Sequence, residues 1–303
     1  MKKILIVGIN EKVHSTLRLI QALKKNNLSY SFIKWGSFVF YEHAIYSENH
    51  PINLQEFSAV FCDIPSYNLC LKKGTAQNKV HFRLNNELHE LLKRIEKMGL
   101  STLNRDFLIK HPFYNKFTQA QLFTERDIDA IPTFHLSDNK LSLVLASMKL
   151  FNIKFPLVVK QSEGGMGEFV WKANDATELE KILCNKRNSS LIYQPFVENS
   201  GDFRILIVDG KSLGVMKRTA KKGEWKNNFA LGGKVLPHKD SKMEKFAQNV
   251  CQKMGLDYAG IDIFKTKSGY KVIEVNVFAC FEGFEKVFTK ADIPQHILNF
   301  LIK

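Results

Sequence analysis

The stretch that decides the fold runs Tyr258-Ala-Gly-Ile-Asp-Ile-Phe264, then Lys265-Thr-Lys-Ser-Gly269, then Tyr270-Lys-Val-Ile-Glu-Val-Asn276. Its first and last runs are rich in β-branched and aromatic residues, which favour strands. The Ser-Gly pair between them is a common turn former. The sequence therefore predicts a β-hairpin over residues 258–276.

Three oxygen-bearing side chains interrupt this apolar pattern: Asp262, Glu274 and Asn276. Glu274 and Asn276 are two residues apart, so they project from the same face of their strand. Two carboxylates buried close together need a compensating cation. Hard oxygen ligands in this number suit Mg²⁺, which commonly shares its coordination with nucleotide phosphates. The alternative is that Asp262 and Glu274 form ion pairs with Lys or Arg, which are abundant in this chain.

The length of the hairpin loop decides whether Asp262 belongs to that face. A three-residue loop at 267–269 pairs Thr266 with Tyr270, and hence Asp262 with Glu274. A two-residue turn would move Asp262 to the opposite face, because side chains alternate along a strand. We predict the three-residue loop.

The composition describes a globular protein with an excess of basic residues. The 303 residues are 45% hydrophobic and 24% charged, enough for a full core and two or three domains. Because no apolar run is long enough to span a bilayer and residues 1–8 are predicted to form a strand, we expect a cytoplasmic protein without a membrane partner. The net charge of +14 favours anionic partners. Reduced thiols are expected for all five cysteines, Cys62, Cys70, Cys184, Cys251 and Cys280.

The N-terminal region, residues 1–110, alternates predicted strands and helices and is therefore expected to be a parallel α/β unit. Gly8 stands alone after the first strand and does not make a dinucleotide-binding fingerprint. We expect this unit to contribute scaffold and substrate contacts. The predicted elements are strands at Ile4–Val7, Ser31–Ile33, Ala59–Asp63 and near Ser101–Asn104, and helices at Ser15–Lys25 and Leu84–Met98, the latter ended by Gly99.

A weakly patterned stretch around Pro112 predicts a linker to two further domains, 111–190 and 191–303. The elements predicted in these domains are helices at Lys116–Glu125, Leu141–Lys149, Ala176–Leu183 and Ser241–Met254, strands at Ile131–Phe134, Pro156–Lys160, Phe169–Trp171 and Leu191–Gln194, a hairpin at Phe203–Met216, and a mostly helical tail from Phe281 to Lys303.

A glycine-rich loop follows the strand that ends at Lys160. Gly165 and Gly167 accept torsions that other residues resist, so backbone N–H groups in this loop can turn onto phosphate oxygens. Lys160 would add a point charge. Such a turn can also simply join two strands.

Taken in order, these segments resemble the ATP-grasp superfamily and, within it, the RimK-like carboxylate–amine ligases, over about residues 104–286. The resemblance implies an α/β chain in which an ATP-grasp fold, α+β in its ATP-binding part, follows a Rossmann-like pre-ATP-grasp domain. The segments that carry it are Pro156-Leu-Val-Val-Lys160 with its loop, Gly201-Asp-Phe-Arg204, Ala259-Gly-Ile-Asp262, Ile273-Glu-Val-Asn276 and Glu282-Gly-Phe-Glu-Lys286.

The resemblance also implies ATP and Mg²⁺ as cofactors, with Mn²⁺ as an alternative ion. The glycine loop would be a movable lid, and the backbone of residues 194–197 would read adenine. The residues that receive roles are Lys116, Lys160, Gly165 and Gly167 for phosphates, Gln194, Pro195, Phe196, Val197, Glu198 and Asp202 for the rest of the nucleotide, Arg204, Arg218 and Asn228 for catalysis, and Asp262, Glu274 and Asn276 for the metal.

The reaction implied is amide formation. A carboxylate is a poor electrophile, so ATP would convert it to an acyl phosphate that an amine then attacks. Positioning and charge neutralisation carry most of such phosphoryl transfer. The expected product joins an amino acid, such as glutamate, to an amino-acid or acidic peptide acceptor.

Several positions depart from the family pattern. Phe169 stands where lid loops usually have glycine, Leu231 replaces a basic residue, and residues 277–278 are Val-Phe where Ser-Pro is usual. The basic loop 217–226 contains Trp225 and could hold an acidic acceptor. It could equally be a solvated connection between strands.

Two other functions remain open at this point. The basic charge alone favours a nucleic-acid-binding α/β protein, although there is no RNA-recognition signature and no concentrated basic stretch. An ATP-binding protein that has lost ligation is the other. For the ligase, a homodimer or homotetramer is a possible assembly, and nucleic acid is not an expected partner.

Overall fold

The computed structural model describes residues 3–64, 77–163, 169–186, 189–221, 223–227 and 233–303, with the backbone alone for 77–84. Its strands are β1 (Lys3–Gly8), β2 (Ser29–Lys34), β3 (Phe38–Tyr41), β4 (Ala44–Ser47), β5 (His50–Pro51), β6 (Ala59–Cys62), β7 (Phe134–His135), β8 (Leu157–Gln161), β9 (Val170–Ala173), β10 (Leu191–Pro195), β11 (Asp202–Val208), β12 (Lys211–Thr219), β13 (Lys234–His238), β14 (Tyr258–Thr266) and β15 (Gly269–Asn276). Its helices are α1 (His14–Lys25), α2 (Gln77–Lys97), α3 (Arg105–Lys110), α4 (Lys116–Glu125), α5 (Leu141–Leu150), α6 (Ala176–Asn185), α7 (Ser241–Met254), α8 (Glu282–Val287) and α9 (Ile293–Leu301).

The N-terminal region contains the predicted parallel sheet, in the order β2-β1-β6. Its central strand β1 is fully buried along Ile4–Val7, so both faces must be covered. Helix α1 covers one face through Leu19 and Leu23, and α2 covers the other through Leu91 and Leu92. The strand predicted near Ser101 is present only as a single parallel bridge between Ser101 and Ala59.

Two elements of this region were not predicted. A small antiparallel sheet, β3-β4-β5, covers the side of the α/β unit, and its Phe38 and Ile45 pack into the core beside Trp35. The predicted linker around Pro112 is partly helical, because α3 occupies its first half. A helix of six residues is not stable by itself, and α3 depends on burying Phe107 and Leu108.

The rest of the chain builds two larger antiparallel sheets. One has the order β7-β10-β8-β9 and packs on α5 and α6, and the other has the order β13-β12-β11-β14-β15 and packs on α7. The predicted bounds of α4 and α7 are confirmed. Local signals explain them, because Asn115 forms a capping box at the start of α4 and Gly255 adopts a left-handed conformation after α7. Strand β13 was not predicted.

The hairpin β14–β15 has the predicted pair but not the predicted turn. The strands close on a two-residue turn at 267–268, so the three-residue loop was wrong. With that turn alone, Asp262 would face Ile273 and point away from the other acids. Ile273 is instead the extra residue of a β-bulge, and the bulge restores the pairing of Asp262 with Glu274.

Asn104 joins the N-terminal region to this hairpin. Its side-chain amide donates to the backbone oxygens of Tyr258 and Val277, and its oxygen accepts from the N–H groups of Asp257 and Tyr258. Because Tyr258 begins β14 and Val277 follows β15, one buried amide fixes both ends of the acidic hairpin against the sheet β2-β1-β6.

Candidate active site

A cleft of about 450 Å³ is lined by side chains from both large antiparallel sheets and from α4. It collects most of the residues that the sequence singled out. Those that line it are Lys116, Lys160, Gln194, Pro195, Phe196, Val197, Asp202, Arg204, Arg218, Asp262, Glu274 and Asn276. Glu198 does not line it, and its neighbour Asn199 does. Gly165, Gly167, Asn228 and Leu231 lie outside the described residues.

The floor of the cleft is a row of alternating charges on neighbouring strands. Arg204 on β11 lies directly opposite Asp262 on β14, and its Nε and one terminal nitrogen donate to the two carboxylate oxygens at 2.7 and 2.8 Å. Arg218 on β12 lies opposite Asp202 and donates to it at 2.5 Å. A terminal nitrogen of Arg218 also approaches Asp262 Oδ2 at 2.9 Å. The strand register therefore links two aspartates and two arginines into one network.

Asp262 and Arg218 keep their charges although they are buried, whereas burial outweighs Arg218 at Asp202 and raises its pKa above the usual value. Burial by itself would raise the pKa of Asp262, but Arg204 and Arg218 outweigh it and lower that pKa below its usual value. Burial likewise opposes the charge of Arg218, and the carboxylates of Asp202 and Asp262 raise its pKa. Removing one partner would leave the others uncompensated in a low-dielectric site.

Two lysines stand at the side of the cleft formed by α4 and β8. The Lys116 ammonium lies 3.6 Å from a Glu274 carboxylate oxygen. Lys160 is half-buried, and this burial lowers its pKa to about 8 although Glu274 opposes the shift. The backbone N–H of Lys116 donates to Ser162 O, which ties the start of α4 to the chain leaving β8. Both ammonium groups are thus held beside the acidic hairpin.

Gln119 is a positioning residue that sequence reasoning missed. Its amide exchanges two hydrogen bonds with the backbone of Val275, each 3.0 Å long, and so fastens α4 along β15. The sequence carried little sign of this role. A single glutamine in a helix looks the same whether it is buried or exposed, unless the surface against which α4 packs is known.

The three predicted metal ligands project into this cleft from one face of the hairpin. Ion pairing and metal binding were alternatives in the sequence, and the structure shows the ion pairs of Asp262 and Glu274. Bonds from described residues use three of the roughly four acceptor positions of Asp262. The amide nitrogen of Asn276 donates to Gly260 O at 3.4 Å. The donor set of two carboxylates and one amide oxygen therefore fits a hard cation that keeps several waters.

The opposite end of the cleft is aromatic. Phe196 follows β10, and Trp225 in the basic loop meets it edge to face, with ring centroids 6.1 Å apart. Lys172 from β9 places its ammonium 4.9 Å from the Phe196 ring centre and 5.8 Å from that of Trp225. Cations over aromatic faces are attracted by the ring quadrupole. Trp225 is therefore packed and is not a solvated tip.

The basic loop is anchored to the chain segment that carries Phe196. Asn227 accepts a hydrogen bond from Ala220 N–H and donates to Asn199 Oδ1 at 2.9 Å. Asn199 Oδ1 also accepts from Gly201 N–H. These bonds place Trp225 at the Phe196 end of the cleft. The sequence had left two alternatives for the basic loop, an acceptor-binding loop and a solvated connection.

Solved structures identify the class of this fold. ATP-grasp ligase PsnB, in complex with a phosphomimetic variant of its minimal precursor, Mg and ADP, superposes with a TM-score of 0.71 at 17% identity, covering 100% of this chain and 98% of PsnB. The macrocyclase MdnC from Microcystis aeruginosa MRC, bound with precursor peptide MdnA, gives a TM-score of 0.71 at 18% identity with 99% of each chain covered. At this identity the likeness concerns the fold, which is that of the ATP-grasp ligases, as the sequence predicted.

The family follows from the sequence itself. A family model for the RimK-like ATP-grasp domain matches residues 114–301. A protein of Vibrio parahaemolyticus serotype O3:K6 named "Probable alpha-L-glutamate ligase" is 28% identical over 99% of this chain and 95% of its own length. A protein of the same name from Psychromonas ingrahamii is 34% identical over 70% of each chain. The chain belongs to the RimK-like ATP-grasp family and is an ATP-dependent carboxylate–amine ligase.

A search of the described residues for membrane spans found no helix with the length and apolar character to cross a bilayer.

Proposed function

We propose that this ligase binds ATP in the 450 Å³ cleft and joins a carboxylate to the amine of an amino acid or peptide through an acyl phosphate. The observation that carries the proposal is the meeting of three groups in one cleft: the ammonium groups of Lys116 and Lys160, the arginine–aspartate floor, and the oxygen donors of the acidic hairpin. Cations that converge on one point suit a polyphosphate, and the floor suits a reaction in which negative charge moves.

The nucleotide would lie along the cleft from its aromatic to its cationic end. The base would rest at Phe196 and Trp225, against the backbone of residues 194–197. The phosphates would meet Lys116 and Lys160. Because its pKa is about 8, the Lys160 ammonium loses its proton near that pH in the ligand-free cleft. An incoming phosphate would favour the protonated form again. ATP binding would therefore take up protons near that pH.

Asp262, Glu274 and Asn276 would hold the magnesium ion, which supplies charge neutralisation for the phosphates when bound. To do so, Asp262 would share its carboxylate between the metal and its two arginines. Arg204 and Arg218 thus keep this carboxylate ionised and fixed in direction before any ion arrives.

The chemistry proceeds in two steps. A carboxylate oxygen of the first substrate attacks the γ-phosphorus of ATP, and the bond to ADP breaks. The nitrogen of the second substrate then attacks the carbonyl carbon and loses a proton. The single bond between that carbon and the phosphate oxygen breaks, and phosphate leaves with its electron pair. Arg204 and Arg218 neutralise charge in both steps, because guanidinium groups remain protonated and match phosphate and carboxylate geometry.

The names of the relatives support glutamate as one of the two substrates. An excess of basic residues also suits anionic substrates, since it raises their concentration at the surface. We therefore propose glutamate, free or in an acidic peptide, as the carboxylate that is activated.

The test is an ADP-release screen of amino acids and acidic peptides, followed by mass analysis of the products. The expected product has the mass of the two substrates minus one water. Lys160→Ala should abolish ADP release, whereas Lys149→Ala, an exposed lysine on α5, should leave it unchanged. Retained ATP binding without ADP release on any pair of substrates would instead identify a chain that has lost ligation.

A further inference from the structure

A second cavity, of about 570 Å³, opens at the carboxyl end of the parallel sheet β2-β1-β6. It is lined by Ile9 and Asn10, which follow β1, and by Asp63 and Ile64, which follow β6. Strand β1 leads into α1 on one face of the sheet, and α2, which follows β6 further along the chain, packs on the other face. Open α/β sheets bind ligands at the carboxyl ends of two adjacent strands that diverge in this way.

This cavity adjoins the cleft already described. Phe278, Cys280 and Glu282 line both. They belong to the segment that follows the acidic hairpin, so the second cavity lies beside the part of the cleft that Asn276 lines. The volume of each cavity is in the range of small-molecule sites.

The charged and titratable side chains that line the second cavity are Lys12, His14, Asp63 and Glu282. The Asp63 carboxylate accepts from the hydroxyls of Ser15 and Thr16, at 2.6 and 2.5 Å, and from the backbone of Thr16. It therefore caps the start of α1 from another strand. His14 Nε2 lies 2.8 Å from a carboxylate oxygen of Glu285.

Apart from these groups and Asn10, the described lining of the cavity is mostly apolar. Val13 and Leu17 line it from α1, Phe61 from β6, and Phe278 and Phe281 from the segment after the hairpin. Leu17 is 41% exposed, so a ligand in this cavity can pack against it. Phe278 is one of the positions at which the sequence departs from the usual Ser-Pro of RimK-type members.

We propose that the second cavity binds the amine substrate, and that this substrate carries an apolar side chain. The inference rests on the proposed function, since it assigns the second of the two ligands of that reaction. The side chain lies on Leu17, Phe61 and Phe278. The amine points to the junction with the cleft, where the Glu282 carboxylate, which also pairs with Lys286 at 3.0 Å, attracts its ammonium form. The product would then be an acidic residue joined to an apolar one.

The thiol of Cys280 reports on this junction because it is exposed and lines both cavities. The protein with saturating ADP and Mg²⁺ is treated with iodoacetamide, and alkylation of each cysteine is followed by peptide mass spectrometry. Free leucine, methionine and phenylalanine should slow alkylation of Cys280 about fivefold or more at saturation. Cys184, exposed on α6 and outside both cavities, is the internal control and should react at an unchanged rate.

Protection by glutamate or aspartate alone, or by none of the amino acids, would overturn the proposal. Because the readout is protection of a thiol, it does not depend on turnover. Failure of the proposed function would appear separately, as protection by apolar amino acids without ADP release in their presence.

A variant pair sharpens the result. Leu17→Asp should raise the concentration of apolar amino acid that gives half-protection about tenfold or more, because it places a charge against the side chain. An aspartate in the first turns of α1 favours the helix dipole, so folding should be retained. Leu143→Asp is the matched control, a leucine 44% exposed in the first turn of α5 and outside both cavities. Equal effects of the two variants would refute a specific site.

Discussion

Two buried aspartates, Asp262 in the cleft and Asp63 at the end of the parallel sheet, differ in their bonding partners and in the direction in which their pKa is shifted. They are equally buried, at 5% and 7% exposure. Asp262 is held by the guanidinium groups of Arg204 and Arg218, and its pKa is lowered. Asp63 is held by neutral hydroxyls and a backbone N–H; burial outweighs them, and its pKa is raised.

The difference is one of charge compensation. Cationic partners lower the pKa of Asp262 and so favour its ionised carboxylate, and they bring fixed positive charge to the cleft. Hydroxyl donors stabilise a carboxylate less and bring no charge of their own. The cleft thus carries the fixed charges that the proposed phosphoryl transfer needs, whereas Asp63 caps a helix beside a mostly apolar cavity.

Removing a cation from the cleft should have the largest effect. Arg218→Ala should lower turnover on the order of a hundredfold or more, because it removes a preorganised charge from the reaction. It should also lower the free energy of unfolding by roughly 3–5 kcal/mol, because Asp202 and Asp262 lose a buried partner. Steady-state kinetics and urea denaturation measure the two effects.

Arg218→Lys separates these two consequences, since it keeps the charge and loses the planar fork. It should recover most of the stability and little of the activity. Full activity in Arg218→Ala would remove Arg218 from the reaction altogether.

Changing an acid of the hairpin should have the next largest effect. Glu274→Gln should raise the Mg²⁺ concentration that gives half-maximal ADP release about tenfold or more, because an amide is a weaker ligand than a carboxylate. Glu244→Gln, on α7 and outside the cleft, should have no such effect. Identical Mg²⁺ titrations of the two variants would contradict a ligand role for Glu274.

The Asp63 side of the comparison predicts a pH effect on stability. Because the pKa of Asp63 is raised in the folded protein, its contribution to stability is fully present below the usual 3.8 and is lost as pH rises through the folded value. Asp63→Asn has no carboxyl group to titrate. Wild type should therefore lose stability relative to the variant as the pH rises from 3.8 to the raised pKa of Asp63 in the folded protein. The measurement is the difference of the two urea midpoints across the pH range, and a difference independent of pH would show that Asp63 is not perturbed.

The smallest effect concerns the aromatic end of the cleft. Trp225→Ala should raise the KM for ATP about two- to tenfold, as the loss of one aromatic contact predicts, and leave the KM of the amine substrate unchanged. Trp171→Phe, on β9 and not lining the cleft, is the control. If the KM for the amine substrate changes and the KM for ATP does not, the basic loop binds the acceptor and not the nucleotide.

Local patterns accounted for most of the secondary structure. Helices α4 and α7 begin and end where capping and glycine signals lie in the sequence. The pairing of Asp262 with Glu274 was predicted for a wrong reason, because a shorter turn and a bulge at Ile273 compensate each other. A bulge depends on how the strands twist in the sheet, and no short-range signal reports it.

The sequence by itself determined which chemical groups this protein has and in what order, since motif residues and their spacing are properties of the chain. Only the tertiary structure decided how those groups are paired. Arg204 and Arg218 meet Asp262 because three separate strands come into register. The second cavity exists because the segment after β15 packs against the carboxyl end of β1 and β6. Contacts between residues far apart in sequence depend on the whole fold, and for that reason no local pattern could have contained them.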